Sequence, residues 1–102
     1  MITHIVLLKI KKNASEADVS KLFAKIQGLK KVEPGFVTFT GGRYSSSEGL
    51  NRGFTHGFVI TFTTPKARDN YLDHPEHEKV KLDALALVEG GVEGVTAFDY
   101  ET

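Results

Sequence analysis

Four β-rich stretches and two helical patterns, in the order β-α-β-β-α-β, predict an α+β domain. The economical arrangement is ferredoxin-like, a split βαβ sandwich whose helices cover one face of a four-stranded antiparallel sheet. The chain has 102 residues, enough for one hydrophobic core and too few for two, so residues 1–102 read as a single domain. Apolar residues make up 40% and charged residues 25%, a balance too apolar for disorder.

Residues 2–10 open the sheet. Ile2, His4, Val6, Leu8 and Ile10 fall on one face of an extended chain, and Thr3, Ile5, Leu7 and Lys9 on the other. Residues 15–30 carry the clearest helical signal. Ser15 is a suitable N-cap with Asp18 three positions on, as a reciprocal cap requires. Val19, Leu22, Phe23, Ile26 and Leu29 then recur at helical spacing, and Gly28 and Pro34-Gly35 end the element. Lys21, Lys25, Lys30 and Lys31 read as its solvated face.

Residues 36–40 predict a second strand, and Gly41 to Gly53 a long loop rich in Gly and Ser. That loop fits a functional segment or a plain hairpin connection. Residues 54–63 predict a third strand, with His56, Phe58, Ile60 and Phe62 on one face and Gly57, Val59 and Thr61 on the other. Thr64-Pro65 reads as an N-cap with proline at the first helical position. That helix runs through Leu72. Pro75 disfavours helical geometry at His74, so the helix breaks and restarts there. Val80, Ala84, Leu87 and Val88 share one stripe of the second segment, and Gly90-Gly91 ends it. Residues 94–100 predict the last strand.

Helices can cover only one face of such a sheet. Yet Ile5, Leu7 and Val59 lie opposite the apolar faces already assigned, and either Val37 or Phe39 must join them. Strands apolar on both faces are normally buried on both. The chain is therefore expected to form a homodimer through the open sheet face, two sheets closing into a dimeric α+β barrel. The alternative is a monomer with a modestly apolar open face.

The charge balance is neutral, with 13 basic and 13 acidic residues. It offers no basic face for nucleic acid and no electrostatic hold on a membrane. There is no cysteine, so disulfides, thiolate metal sites and cysteine nucleophiles are excluded. The early apolar run Ile5–Leu8 stops at Lys9, too short for a signal-peptide core or a span. These features predict a cytoplasmic protein. No Gly-rich phosphate loop, nucleophile elbow or zinc-protease motif is present, so no cofactor is expected.

The chemistry-bearing residues are the four histidines His4, His56, His74 and His77, together with Tyr71. Histidine is the side chain most easily tuned to act as a base near neutral pH. A tyrosine hydroxyl can hold a developing enolate oxygen. Tyr71 and His77 across a kinked helix, beside a strand histidine, form a candidate proton-transfer constellation. The competing reading makes them hydrogen-bonded core residues. His74 and His77, with Asp73 and Glu76 nearby, could be metal ligands, but Pro75 interrupts the helix that would aim them, and no metal is expected.

Four segments carry a family resemblance: His4–Lys9, Glu48–Phe58 with its Gly-Phe-Thr-His block, Tyr71–His77 with its Tyr-x-x-His-Pro-x-His block, and Phe98-Asp99-Tyr100. Together they span nearly the whole chain and resemble the stress-responsive A/B barrel (Dabb) domain family. The resemblance implies a dimeric α+β barrel. The family includes a plant polyketide cyclase that closes a linear poly-β-ketone by intramolecular aldol condensation. By position, the resemblance implies His77 as general base, Tyr71 as its hydroxyl-bearing partner, and His4 as a further catalytic histidine. It also implies a ligand site formed by His56, His74, Val6, Leu8, Phe23 and Phe58, taking a small apolar or keto-type molecule between sheet and helices. Other family members are known as stable stress-induced dimers without established activity, and related dimeric barrels include cofactor-free monooxygenases. The segment Leu85–Gly94 and the loop Gly42–Gly49 depart from the plant cyclase, the first lacking its aromatic bulk.

Overall fold

The computed structural model describes residues 1–102. Its elements are β1 (Ile2–Leu8), α1 (Glu16–Gly28), β2 (Phe36–Arg43), β3 (His56–Phe62), α2 (Pro65–Asp73), α3 (Pro75–Leu87) and β4 (Val95–Glu101). Short 3-10 turns follow α1 at Leu29–Lys31 and precede β4 at Gly91–Gly94. The strands form one sheet in the order β2-β3-β1-β4, every neighbouring pair antiparallel. This is the ferredoxin-like α+β arrangement.

The local signals act where the side-chain chemistry requires. Ser15 caps α1: its hydroxyl accepts from the Asp18 N–H at 3.1 Å while the Asp18 carboxylate accepts from the Ser15 N–H at 2.9 Å. The Thr64 hydroxyl likewise accepts from the Ala67 N–H at 3.1 Å at the start of α2. His74 is held extended by the following proline and ends α2. Its own Nδ1 then accepts from the Glu76 N–H at 3.0 Å and caps α3.

Several boundaries differ from expectation. β1 stops at Leu8, and Ile10 forms an isolated bridge with Val88. Val88 has therefore left the α3 stripe; it adopts extended geometry and is buried at the end of the helix. β2 runs on through Gly41 and Gly42 to Arg43, because β3 supplies partners as far as His56. Glycine propensity yields there to the ladder. Gly41 is also useful in that place, since a Cβ would meet the Phe23 ring at 2.9 Å.

A bulge between Phe36 and Thr38 changes how β2 presents its aromatics. Phe36 pairs with Phe62 and Phe39 with Ile60, so both rings face the helices despite their odd spacing. Strict alternation, which would turn one of them outward, fails here. The core includes Ile2, Val6, Leu8, Phe58, Ile60 and Phe62 from the central strands, closed by Val19, Leu22 and Ile26 of α1 and Ala67 and Tyr71 of α2.

The opposite face has no helix. Across it, Val59 stands beside Ile5, and Ile5 beside Phe98. Phe98 is 64% exposed, and Leu7 and Tyr100 are exposed alongside it. Phe98 and Tyr100 extend the apolar stripe beyond the residues that predicted it, while Phe39 is absent from it.

Candidate active site between sheet and helices

A cavity of about 400 Å³ lies between the helix-facing side of the sheet and α3, within the range of small-molecule sites. Its floor is made by His4, Val6, Leu8, Ile26, Phe58 and Tyr71, all buried. Its rim includes Lys81, Val92 and Ala97, which are exposed. The cavity opens here because β4 is an edge strand that α3 does not fully cover.

The helix break builds the central pair. Tyr71 lies near the end of α2 and His77 in the first turn of α3. The extended His74 redirects the chain between them, bringing the rings to 4.7 Å between centroids, tilted by 56°. Tyr71 is only 2% exposed and packs against Phe36, Phe62 and His4. Burial pushes its hydroxyl well above the ordinary tyrosine range, so it stays protonated and able to donate. Burial pushes the His77 imidazole down, opposed in part by Glu78 and by the nearby Leu72 carbonyl. That carbonyl does not complete a hydrogen bond at Nδ1, which is buried and unpartnered. His77 is thus biased toward the neutral, basic form.

His4 completes the polar lining. It faces Asp99 across the β1–β4 ladder, and its Nδ1 lies 2.6 Å from the Asp99 Oδ1. A carboxylate cannot donate, so Nδ1 carries the hydrogen and a neutral His4 keeps Nε2 as acceptor. Arg68 of α2 donates to the other Asp99 oxygen at 3.0 Å. The series Arg68–Asp99–His4 fixes the orientation of the imidazole in the cavity floor.

Of the expected site residues, His77, Tyr71, His4, Val6, Leu8 and Phe58 line this one cavity. Three do not. Phe23 packs against Phe39 and Phe58 and belongs to the wall behind them. His74 is occupied with capping α3. His56 opens β3 beside Leu8 in the register, but its Nε2 lies 3.2 Å from Glu16 and its Nδ1 2.8 Å from the Thr55 hydroxyl. It borders a separate groove of about 650 Å³ that reaches the open sheet face beneath the loop after β2. Sequence reasoning passed over Asp99, Arg68 and Lys81. Asp99 left a trace: it alternates in phase with Val95 and Ala97, a carboxylate on the side of β4 that faces the helices. No comparable signal marks Arg68 or Lys81.

The sequence pattern described as Stress responsive A/B Barrel Domain matches residues 2–102. The stress-response A/B barrel domain-containing protein HS1 of Arabidopsis thaliana is 26% identical over 100 residues, covering 98% of this chain and 88% of that protein. Olivetolic acid cyclase of Cannabis sativa is 25% identical over 76 residues, covering 74% of this chain and 75% of the cyclase. A solved dimeric ferredoxin-like protein of unknown function from a Jannaschia species is 27% identical. It superposes with a TM-score of 0.89, covering 99% of this chain and 98% of that one.

Proposed function

The chain belongs to the stress-responsive A/B barrel domain family, and from that premise we propose a homodimeric barrel that binds a small apolar or keto-type molecule in the cavity between sheet and helices. Within it, His77 and Tyr71 carry out cofactor-free acid–base chemistry resembling aldol cyclisation. The observation that carries this reading is the meeting of Tyr71 and His77 at 4.7 Å on the wall of one cavity.

In such a reaction His77 removes a proton from the carbon between two carbonyl groups. Tyr71 donates its hydroxyl hydrogen bond to the oxygen that gains charge. The carbanion attacks a carbonyl further along the same molecule, and the imidazolium returns the proton to the new alkoxide. An apolar lining favours each step, because it keeps His77 neutral beforehand and strengthens the Tyr71 hydrogen bond afterwards. The test is turnover of a panel of β-keto acids and β-keto thioesters by wild type and His77→Ala. Equal rates would dismiss the base.

The pH profile offers an independent check. His77 is pushed below the ordinary histidine value of 6.5, so its active neutral form persists as pH falls past that point. The acid limb of kcat/KM is expected to have its midpoint below 6.5, and to vanish in His77→Ala. A midpoint above that value would contradict the buried setting.

The homodimer is proposed on the open sheet face, where Val59, Ile5 and Phe98 form a stripe across three strands. Dimeric relatives of the same fold support it. Sedimentation at micromolar concentration should show a species of twice the chain mass, and Phe98→Asp should shift it toward the single-chain mass by burying a charge in the contact. A wild-type protein that sediments as one chain would remove the dimer.

A second reading is favoured by the engagement of His4 with Asp99 and Arg68, which also serves a purely structural purpose. In it the protein is a stable ligand-binding dimer without turnover. Binding in the cavity with no reaction across the substrate panel would select that reading.

A further inference from the structure

We infer that the cavity takes an amphipathic carboxylate, its apolar body on the floor and its charged end paired with Lys81 at the mouth. This inference rests on the proposed reading of the cavity as a ligand site and adds the chemical class of the ligand.

Lys81 is the only residue with a permanent charge among those that line the cavity; the remainder are apolar apart from His4, His77 and Tyr71. It follows His77 by four residues on α3, and so lies one turn along on the same helical face. The two groups sense each other, since Lys81 disfavours the charged form of His77. No carboxylate of the chain comes within ion-pair distance of the Lys81 ammonium. The neighbouring lysines are engaged elsewhere: Lys79 pairs with Glu76 at 3.1 Å and Lys25 with Asp83 at 2.9 Å. The positive charge on the rim therefore has no internal partner.

That arrangement suits one kind of ligand. A carboxylate drawn into the apolar floor would lose hydration without return. At the mouth it keeps water on one side and meets Lys81 on the other, while its chain displaces water from Val6, Leu8, Ile26 and Phe58. Lysine fits the place because its aliphatic stem packs against apolar neighbours while the ammonium stays wet. The same charge near His77 would also favour the enolate over the neutral ketone if the ligand reacts. A neutral ketone or ester would receive the floor contacts but not the ion pair.

The test uses the full chain labelled with nitrogen-15 and titrated with octanoate, methyl octanoate and octylamine, followed by amide shifts of the cavity residues. Wild type is expected to bind octanoate about tenfold more tightly than the methyl ester, the scale of one partly shielded charge-assisted contact. Lys81→Met should bring acid and ester to equal affinity, and Lys81→Glu should reverse the preference in favour of octylamine. If wild type binds acid and ester equally, or if Lys81→Met keeps the preference, the assignment of the carboxylate to Lys81 is overturned while the cavity stands as a ligand site. If none of the three probes perturbs cavity amides in wild type, the inference falls together with the ligand-site reading.

Discussion

Replacing His77 with alanine is expected to lower turnover by about 10²- to 10⁴-fold, the usual share of a positioned general base. Tyr71→Phe should cost about 10²-fold, because it removes one hydrogen-bond donor aimed at the developing oxyanion and leaves the ring packing in place. The double variant should lie close to His77→Ala alone, since the hydroxyl has nothing to stabilise once no carbanion forms. Stability should change little in His77→Ala. The buried Nδ1 has no hydrogen-bond partner, so deleting the ring leaves no other group unsatisfied. Rates for the panel of keto acids and thioesters, measured beside thermal unfolding of each variant, check both parts. A His77→Ala protein as fast as wild type would leave the pair as packing residues.

Phe62→Ala is expected to destabilise the fold by about 3–5 kcal/mol, the range for removing a fully buried aromatic side chain. Phe62 is 0% exposed. Its ring lies 5.6 Å from Phe36, 5.0 Å from Tyr71 and 6.2 Å from His4, so the vacated space adjoins three side chains that cannot all relax into it. A loss of that size is a large fraction of the about 5–15 kcal/mol that holds a typical domain together. It should also loosen Tyr71 and lower activity beyond the effect on folded population. Leu82→Ala is the control, at a side chain 68% exposed, and should change stability by no more than about 0.5 kcal/mol. Urea midpoints at one fixed protein concentration give the comparison, since dimerisation would make them concentration-dependent. A shift in Phe62→Ala as small as that of Leu82→Ala would contradict the packing described for the core.

Much of the fold is legible in the chain because its signals are local. The Ser15 cap, the Thr64-Pro65 start and the His74-Pro75 break each act through atoms within three residues, and each sits where the side-chain chemistry places it. Alternation along β1 and β3 is equally direct: His4 and His56 are both buried on the helix-facing side. The signals weaken where a partner strand decides. Gly41 and Gly42 read as loop, yet pairing with Phe58 and Gly57 makes them strand. The bulge that turns both Phe36 and Phe39 inward has no mark in the composition of β2, so alternation alone leaves either Val37 or Phe39 to face outward.

The site divides along the same line. Tyr71 and His77 stand out because a proline-forced break separates them by six positions and a turn of the chain can bring them together. His56 belongs to the same strand face as Phe58 but lies at its end, where Glu16 of α1 reaches it. It stands beside Leu8, a cavity residue, in the register, so its engagement with Glu16 and Thr55, not its place on the strand face, keeps it out of the cavity lining.

Taken by itself, the order of residues determined the element sequence, the caps, the two-faced strands and the Tyr71–His77 pair, since all of these depend on periodicity and on chemistry between near neighbours. Only the tertiary structure decided that His4 is held by Asp99 and Arg68, that His56 and Phe23 lie outside the cavity, and that Lys81 stands at its mouth. Those placements depend on register between β1 and β4, on how far α3 covers an edge strand, and on which helix end reaches which strand end. They join residues separated by up to 95 positions, a separation over which local pattern carries no information.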